Sequence, residues 1–155
     1  MLQRIQTVWL FFATAAIFSL FLFPYIQLAN ADGVATAIKV TGVYQSINQQ
    51  VVQTEPFLSL TIATVILGLI PFIIIFFYKD RKRQIAICYL FIVITLGYTF
   101  WLVQATKHVV GGITLQTNNY GIGVILPSIA ILFVILAIKG IRRDEKLVRS
   151  VDRLR

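Results

Sequence analysis

The chain has 155 residues, 58% of them hydrophobic and only 13% charged, with a formal net charge of +8. A soluble domain carries about 25% charged residues, so the composition argues against a water-soluble globule. The length leaves no room for a large soluble domain beside a membrane one. In a soluble protein the excess of positive charge would raise the question of nucleic acid; here its placement along the chain explains it.

Four stretches, residues 5–23, 58–78, 85–103 and 121–138, contain no Asp, Glu, Lys, Arg or His. A hydrocarbon core about 30 Å thick takes about 20 helical residues, so each stretch is expected to span a bilayer. Arg4 precedes the first, and Trp9 and Tyr25 are placed to anchor its two ends at the interfaces. Pro24 suits a helix end, because proline disfavours helix in the residue before it. Ala15 and Ser19 form a small-xxx-small pair that lets a neighbouring helix approach. Ala29-Asn30-Ala31 imitates a signal-peptide cleavage site, but the apolar run exceeds the usual h-region, so the first span is expected to be retained.

Residues 24–57 form the longer of two external segments. The run from Val34 to Tyr44 is rich in β-branched residues and partly alternates, which predicts one or two short strands with a bulge or turn at Gly42. Residues 46–54 are polar and ambiguous. In the second span Pro71, one turn after Gly68, predicts a kink. Lys79, Arg81, Lys82 and Arg83 fill the turn at 79–84, and the third span follows, with Cys88 and the hydroxyls of Tyr89, Thr95, Tyr98 and Thr99 read as packing groups. The second external segment, residues 104–120, contains an alternating run, 113–117, that reads as a strand able to pair with the first segment. His108 is expected there as a solvated loop residue. Pro127 predicts a second kink, in the fourth span.

Twelve of the fourteen basic residues lie at Arg4, at the 79–84 turn or in the tail 139–155; only Lys39 and Lys107 fall elsewhere. Basic loops stay cytoplasmic, so both termini are expected inside. In the tail, Ile141, Leu147, Val148, Val151 and Leu154 fall near one helical face, and Glu145 precedes Arg149 by four. This predicts an amphipathic helix, bent or interrupted near Gly140. It would lie on the membrane surface, dock a cytoplasmic protein, or dock the basic turn between the second and third spans through its acids. RNA contact is disfavoured, because the tail has no aromatic residue for base stacking.

Common membrane chemistries lack their residues. A bis-imidazole haem needs two histidines and the chain has one; thiol redox chemistry needs paired cysteines and there is one. Carriers use ionisable groups within the bilayer, and the four stretches hold none. No cofactor and no metal site is expected, and the chain is read as non-enzymatic.

The opening Met1-Leu2-Gln3-Arg4-Ile5-Gln6-Thr7 and the ending from Arg142-Arg143-Asp144-Glu145-Lys146 to Asp152-Arg153-Leu154-Arg155 resemble a family of short bacterial four-span membrane proteins known only as a domain of unknown function. The resemblance implies an inner-membrane location and four helices, and it implies no catalytic or binding residue.

The sequence therefore predicts an all-α four transmembrane helix bundle, a single domain over 1–155. Both termini would be cytoplasmic, with a small β-like cap from the two external loops and an amphipathic C-terminal helix. The expected role is an accessory or scaffold subunit, with the lipid bilayer and a membrane or cytoplasmic protein, or a second copy, as partners. Arg142, Arg143, Glu145, Arg149, Asp152 and Arg153 are the expected contact residues. The alternative is a small transporter or pore that opens at the Pro71 and Pro127 kinks.

Overall fold

A computed structural model describes residues 3–29, 35–47, 50–78, 80–110 and 119–152, with the backbone alone at 3, 4, 29, 47, 110 and 147–152. Helix α1 (Gln3–Phe18) tightens into a 3-10 turn (Ser19–Phe21), then come strands β1 (Ile26–Ala29), β2 (Ala35–Lys39), β3 (Gly42–Ile47) and β4 (Gln50–Pro56). Helix α2 (Leu58–Phe76), helix α3 (Arg81–Val110), a second 3-10 turn (Ile122–Val124) and helix α4 (Leu126–Asp152) complete the chain.

The expected all-α class is overturned. The first external segment alone folds into a four-stranded antiparallel meander in the order β1-β2-β3-β4, so the molecule combines helices with a sheet. Of the second external segment, α3 takes the residues up to Val110, and among the described residues only Tyr120 pairs with the sheet, as a single bridge to Ile26. The strand expected at 113–117 lies outside the described residues. His108 sits in the last turn of α3 rather than in a loop.

The span count also changes. Among the described residues three helices are long and apolar enough to cross a membrane, whereas the first apolar helix, Ile5–Phe21, is shorter. The physical reason is local. Ser19 O accepts from both Leu22 N and Phe23 N, at 3.0 and 3.1 Å, which tightens the last turn, and Pro24 follows. Pro71 lies inside α2, while Pro127 is the second residue of α4. There the missing N–H is one that a first turn leaves unpaired anyway, so Pro127 starts a helix instead of kinking one.

The helices pack through stripes of regular spacing. On α3 the buried residues are Gln84, Cys88, Phe91, Thr95, Tyr98, Leu102 and Thr106, spaced 4-3-4-3-4-4, which suits lengthwise helix packing. On α1 they include Leu10, Ala13 and Ile17, continued by Leu20 in the 3-10 turn, and on α4 Ala130, Val134, Ala137 and Ile141. The alanines let α1 and α4 approach closely. Gly68 on α2 gives room for the Phe18 ring of α1. The opposite faces are apolar too: Ile62, Ile66 and Phe72 on α2, Leu90, Val93 and Phe100 on α3, and Leu132 on α4 are exposed. Faces of this kind suit lipid and not water.

Inside, Thr64 donates to Leu60 O at 2.7 Å, so its oxygen is left to accept from Tyr98 Oη 2.5 Å away, linking α2 to α3. Such bonds are worth about 0.6 kcal/mol in membranes. Tyr98→Phe is expected to lower stability in detergent by that small amount. A loss above about 2 kcal/mol in equilibrium unfolding would show that the pair does more than join two helices.

The sheet sits on one end of the helices. Alternation on β2 turns Thr36 and Ile38 inward, and Ile26, Leu28, Ile38 and Val40 join the helix core. Backbone bonds fasten the seat: Tyr25 N to Ile38 O, Phe57 N to Thr41 O, Gly121 N to Tyr25 O and Gly123 N to Pro24 O, all 3.0–3.1 Å. Gly42, at φ +148°, opens β3 in a conformation open to glycine, and a Cβ there would strike Glu55 O of β4. β4 is exposed along its whole length and forms one edge of the sheet.

Candidate functional site

At the end away from the sheet, the chain gathers most of its described basic residues. α4 has 27 residues, about 40 Å of helix, against a hydrocarbon core of about 30 Å. It runs through Gly140 without interruption, so the expected break near that residue is absent. A Cβ at Gly140 would stand 3.5 Å from Gln6 Cβ, in ordinary contact with α1, so this glycine neither interrupts the helix nor is required by its packing.

Three contacts hold the extension past Lys139 against the rest of the molecule. Ile141 is fully buried. Arg81 Nη1, from the start of α3, donates to Asp144 O at 3.2 Å. Arg142 Nη2 donates to Tyr89 Oη at 2.8 Å, with its guanidinium 5.8 Å from that ring's centre. The hydrogen bond and the cation–π contact reinforce each other, although both lie near the surface. Close by, Gln84 Nε2 donates to Ile74 O at 3.2 Å and ties α3 to the end of α2. The side-chain oxygens of Gln84 and Gln6 are buried without a partner. The Arg83–Asp80 ion pair, 2.9 Å, is exposed on both sides and worth little.

The residues expected to make contacts therefore separate. Arg142 is engaged within the chain. Arg143 is exposed beside Lys139 and Lys146, and Glu145 is half-buried. Arg149 and Asp152 stand on α4, with their side chains outside the described set; Arg153 lies outside the described residues. The sequence offered a docking of the tail on the basic turn through its acids; Arg81 of that turn does meet Asp144, but at its backbone carbonyl. The parts played by Tyr89, read as a packing group, and Ile141, read as one member of an apolar stripe, were missed, and only the fold brings them together. Among the described residues no three His, Cys, Asp or Glu side chains gather as a metal site would need.

A sheet on one end of four helices, outward apolar faces that suit lipid and a basic helical extension at the far end fit a small membrane protein. The chain belongs to the family described as "Domain of unknown function (DUF4293)", which it matches over residues 2–154. No curated protein and no solved structure matches it.

Proposed function

We propose that the protein is a non-enzymatic accessory or scaffold subunit of the bacterial inner membrane, which docks a cytoplasmic protein on the projecting end of α4. The basic end faces the cytoplasm, in keeping with the positive-inside rule, and the sheet faces out. One observation carries the reading: α4 continues unbroken past Gly140 while Ile141, Arg81 and Arg142 hold it in place. A helix that does not bend as it leaves the bilayer cannot lie on the membrane surface, so its outer turns project. Ordered before binding, they offer Lys139, Arg143 and Lys146 to an acidic surface with little entropy left to lose.

The transport alternative gains no support from the helix interior. The buried hydroxyls of Thr14, Thr64, Thr95 and Thr106 each donate to the carbonyl four residues earlier on their own helix, at 2.7–3.2 Å. Their protons are thereby spent on backbone and do not line a polar path.

The test is affinity purification from mild detergent, comparing the full chain, a chain ending at Lys139, and the Arg143→Glu and Arg143→Lys variants. A partner kept by the full chain and by Arg143→Lys, and lost at least tenfold with truncation and charge reversal, is the expected result. Identical co-purifying proteins in all four samples would defeat the docking reading.

A further inference from the structure

The outward face of α4 changes chemistry along its length. Leu132, Ile135, Lys139, Arg142 and Lys146 are all exposed, and their 3-4-3-4 spacing puts them in one row on the helix. The first two belong to the surface that suits lipid tails, so the last three carry the same face on past the tails. With the hydrocarbon edge at Lys139, the first charged residue of the row, Arg142 stands about 5 Å and Lys146 about 10 Å further along the axis. The headgroup layer is about 5–8 Å deep on each side of the hydrocarbon. Lys139 and Arg142 therefore stand within that layer, and Lys146 stands past its rim.

A groove of about 660 Å³ follows the basic part of the row, lined by Lys139, Arg142, Arg143, Glu145 and Lys146. Four of these five are cationic, so the groove selects for negative charge. Arg142 is held in place before anything binds, because Nη2 donates to Tyr89 Oη at 2.8 Å and the guanidinium stands over the ring. The Nε and Nη1 donors of Arg142 remain, and Tyr89, which accepts the Arg142 bond, still has its own hydroxyl proton to give. Tyr89 is 46% exposed, and an aromatic ring with a polar tip suits the interface between tails and headgroups. Glu145, the one acid of the groove, is half-buried and about 9 Å further along the axis than Lys139, beyond the phosphates. Arg143 is turned about 100° away from Arg142 and lies off the row.

We propose that Lys139, Arg142 and Tyr89 bind the phosphodiester of one anionic glycerophospholipid in the leaflet at the basic end. Lys139 and Arg142 pair with its phosphate oxygens, Tyr89 donates a hydroxyl proton to one of them, and the acyl chains run back along Ile135 and Leu132. Basic grooves at this depth hold anionic headgroups. A choline headgroup would bring a further cation among the four, so a lipid with an uncharged headgroup alcohol, such as phosphatidylglycerol, is preferred. The site rests on the position of α4 in the bilayer and not on the docking reading. Arg143, off the row, and Lys146, past the headgroups, remain for a protein partner.

The test uses delipidated full-length protein in dodecylmaltoside, titrated with dimyristoylphosphatidylglycerol and read by native mass spectrometry. One lipid is expected to be retained, in preference to dimyristoylphosphatidylcholine. Lys139→Gln and Tyr89→Phe are each expected to weaken retention about fivefold, and Lys139→Arg to keep it. Arg83→Gln is the control for charge in general: Arg83 is exposed at the same end but does not line the groove, and its loss should leave retention unchanged. If Tyr89→Phe is not recovered folded, Lys139→Gln decides by the same criterion, since Lys139 is exposed. Partner recovery with Arg143→Glu is a separate readout, so failure of the lipid site and failure of docking are told apart. Retention unaltered in Lys139→Gln, an equal loss in Arg83→Gln, equal retention of phosphatidylcholine, or displacement by equimolar inorganic phosphate would overturn the proposal.

Discussion

Replacing Gly121 with valine is expected to unseat the sheet and lower stability by about 3–5 kcal/mol. A Cβ at Gly121 would overlap Pro24 O, and one at Gly123 would stand 2.9 Å from both Pro24 O and Tyr25 N. The two glycines allow the chain before α4 to lie against the chain before β1. In that position Gly121 N reaches Tyr25 O at 3.0 Å and Gly123 N reaches Pro24 O at 3.1 Å. Overpacking costs about 1–3 kcal/mol, and each lost hydrogen bond about 1 more. The displacement also propagates, because Tyr25 N is bonded to Ile38 O of β2. Against a total stability of about 5–15 kcal/mol, the effect is large. Unfolding in detergent measures it, together with faster proteolysis within residues 26–56. Gly97→Ala is the control: nothing stands within 4 Å of a Cβ there. In mid-helix that change is expected to be neutral or to stabilise by up to about 1 kcal/mol. Equal stability of Gly121→Val and the unaltered chain would mean that the sheet is not seated through this contact.

The helices were legible because lipid demands unbroken apolar length, and α2, α3 and α4 all contain it. The sheet was legible only in part. β2 alternates inward and outward at Thr36 and Ile38, and the sequence shows that pattern. β4 is exposed on every residue, so Gln50 to Pro56 carries no alternation to read, and residues 46–54 stay ambiguous without the fold. In β1 the signal is two residues, Ile26 and Leu28, too short to stand out from the apolar run before it. The end of α1 was misjudged for a related reason. Composition counts Leu20 to Phe23 as span, while hydrogen bonding at Ser19 has already changed the helix type.

The basic end teaches a different lesson. Charge counts placed it correctly as a cluster but could not divide it into groups that hold the arm and groups that offer it. Arg142 and Arg143 are adjacent and chemically identical. On an α-helix neighbours point about 100° apart, so one reaches Tyr89 while the other faces out.

Ile141→Asn should separate holding from offering. The side chain is fully buried beyond the last apolar turn of α4, in the part of the helix that leaves the bilayer. Removing it forfeits about 2 kcal/mol of burial, and the amide adds a buried polar group without a partner, about 1–3 kcal/mol. Arg81 and Arg142 remain, but both act near the surface, where such contacts are weak. The arm is expected to open locally without unfolding the rest, and amide exchange across residues 141–146 should rise about 100-fold or more. Partner recovery should fall although every charge is still present. Arg143→Glu should give the opposite dissociation: exchange unchanged and recovery lost. If Ile141→Asn leaves exchange at its original rate, Ile141 is not what fastens the arm. If exchange rises while recovery holds, the partner reads the charges alone, and order in the helix contributes nothing to docking.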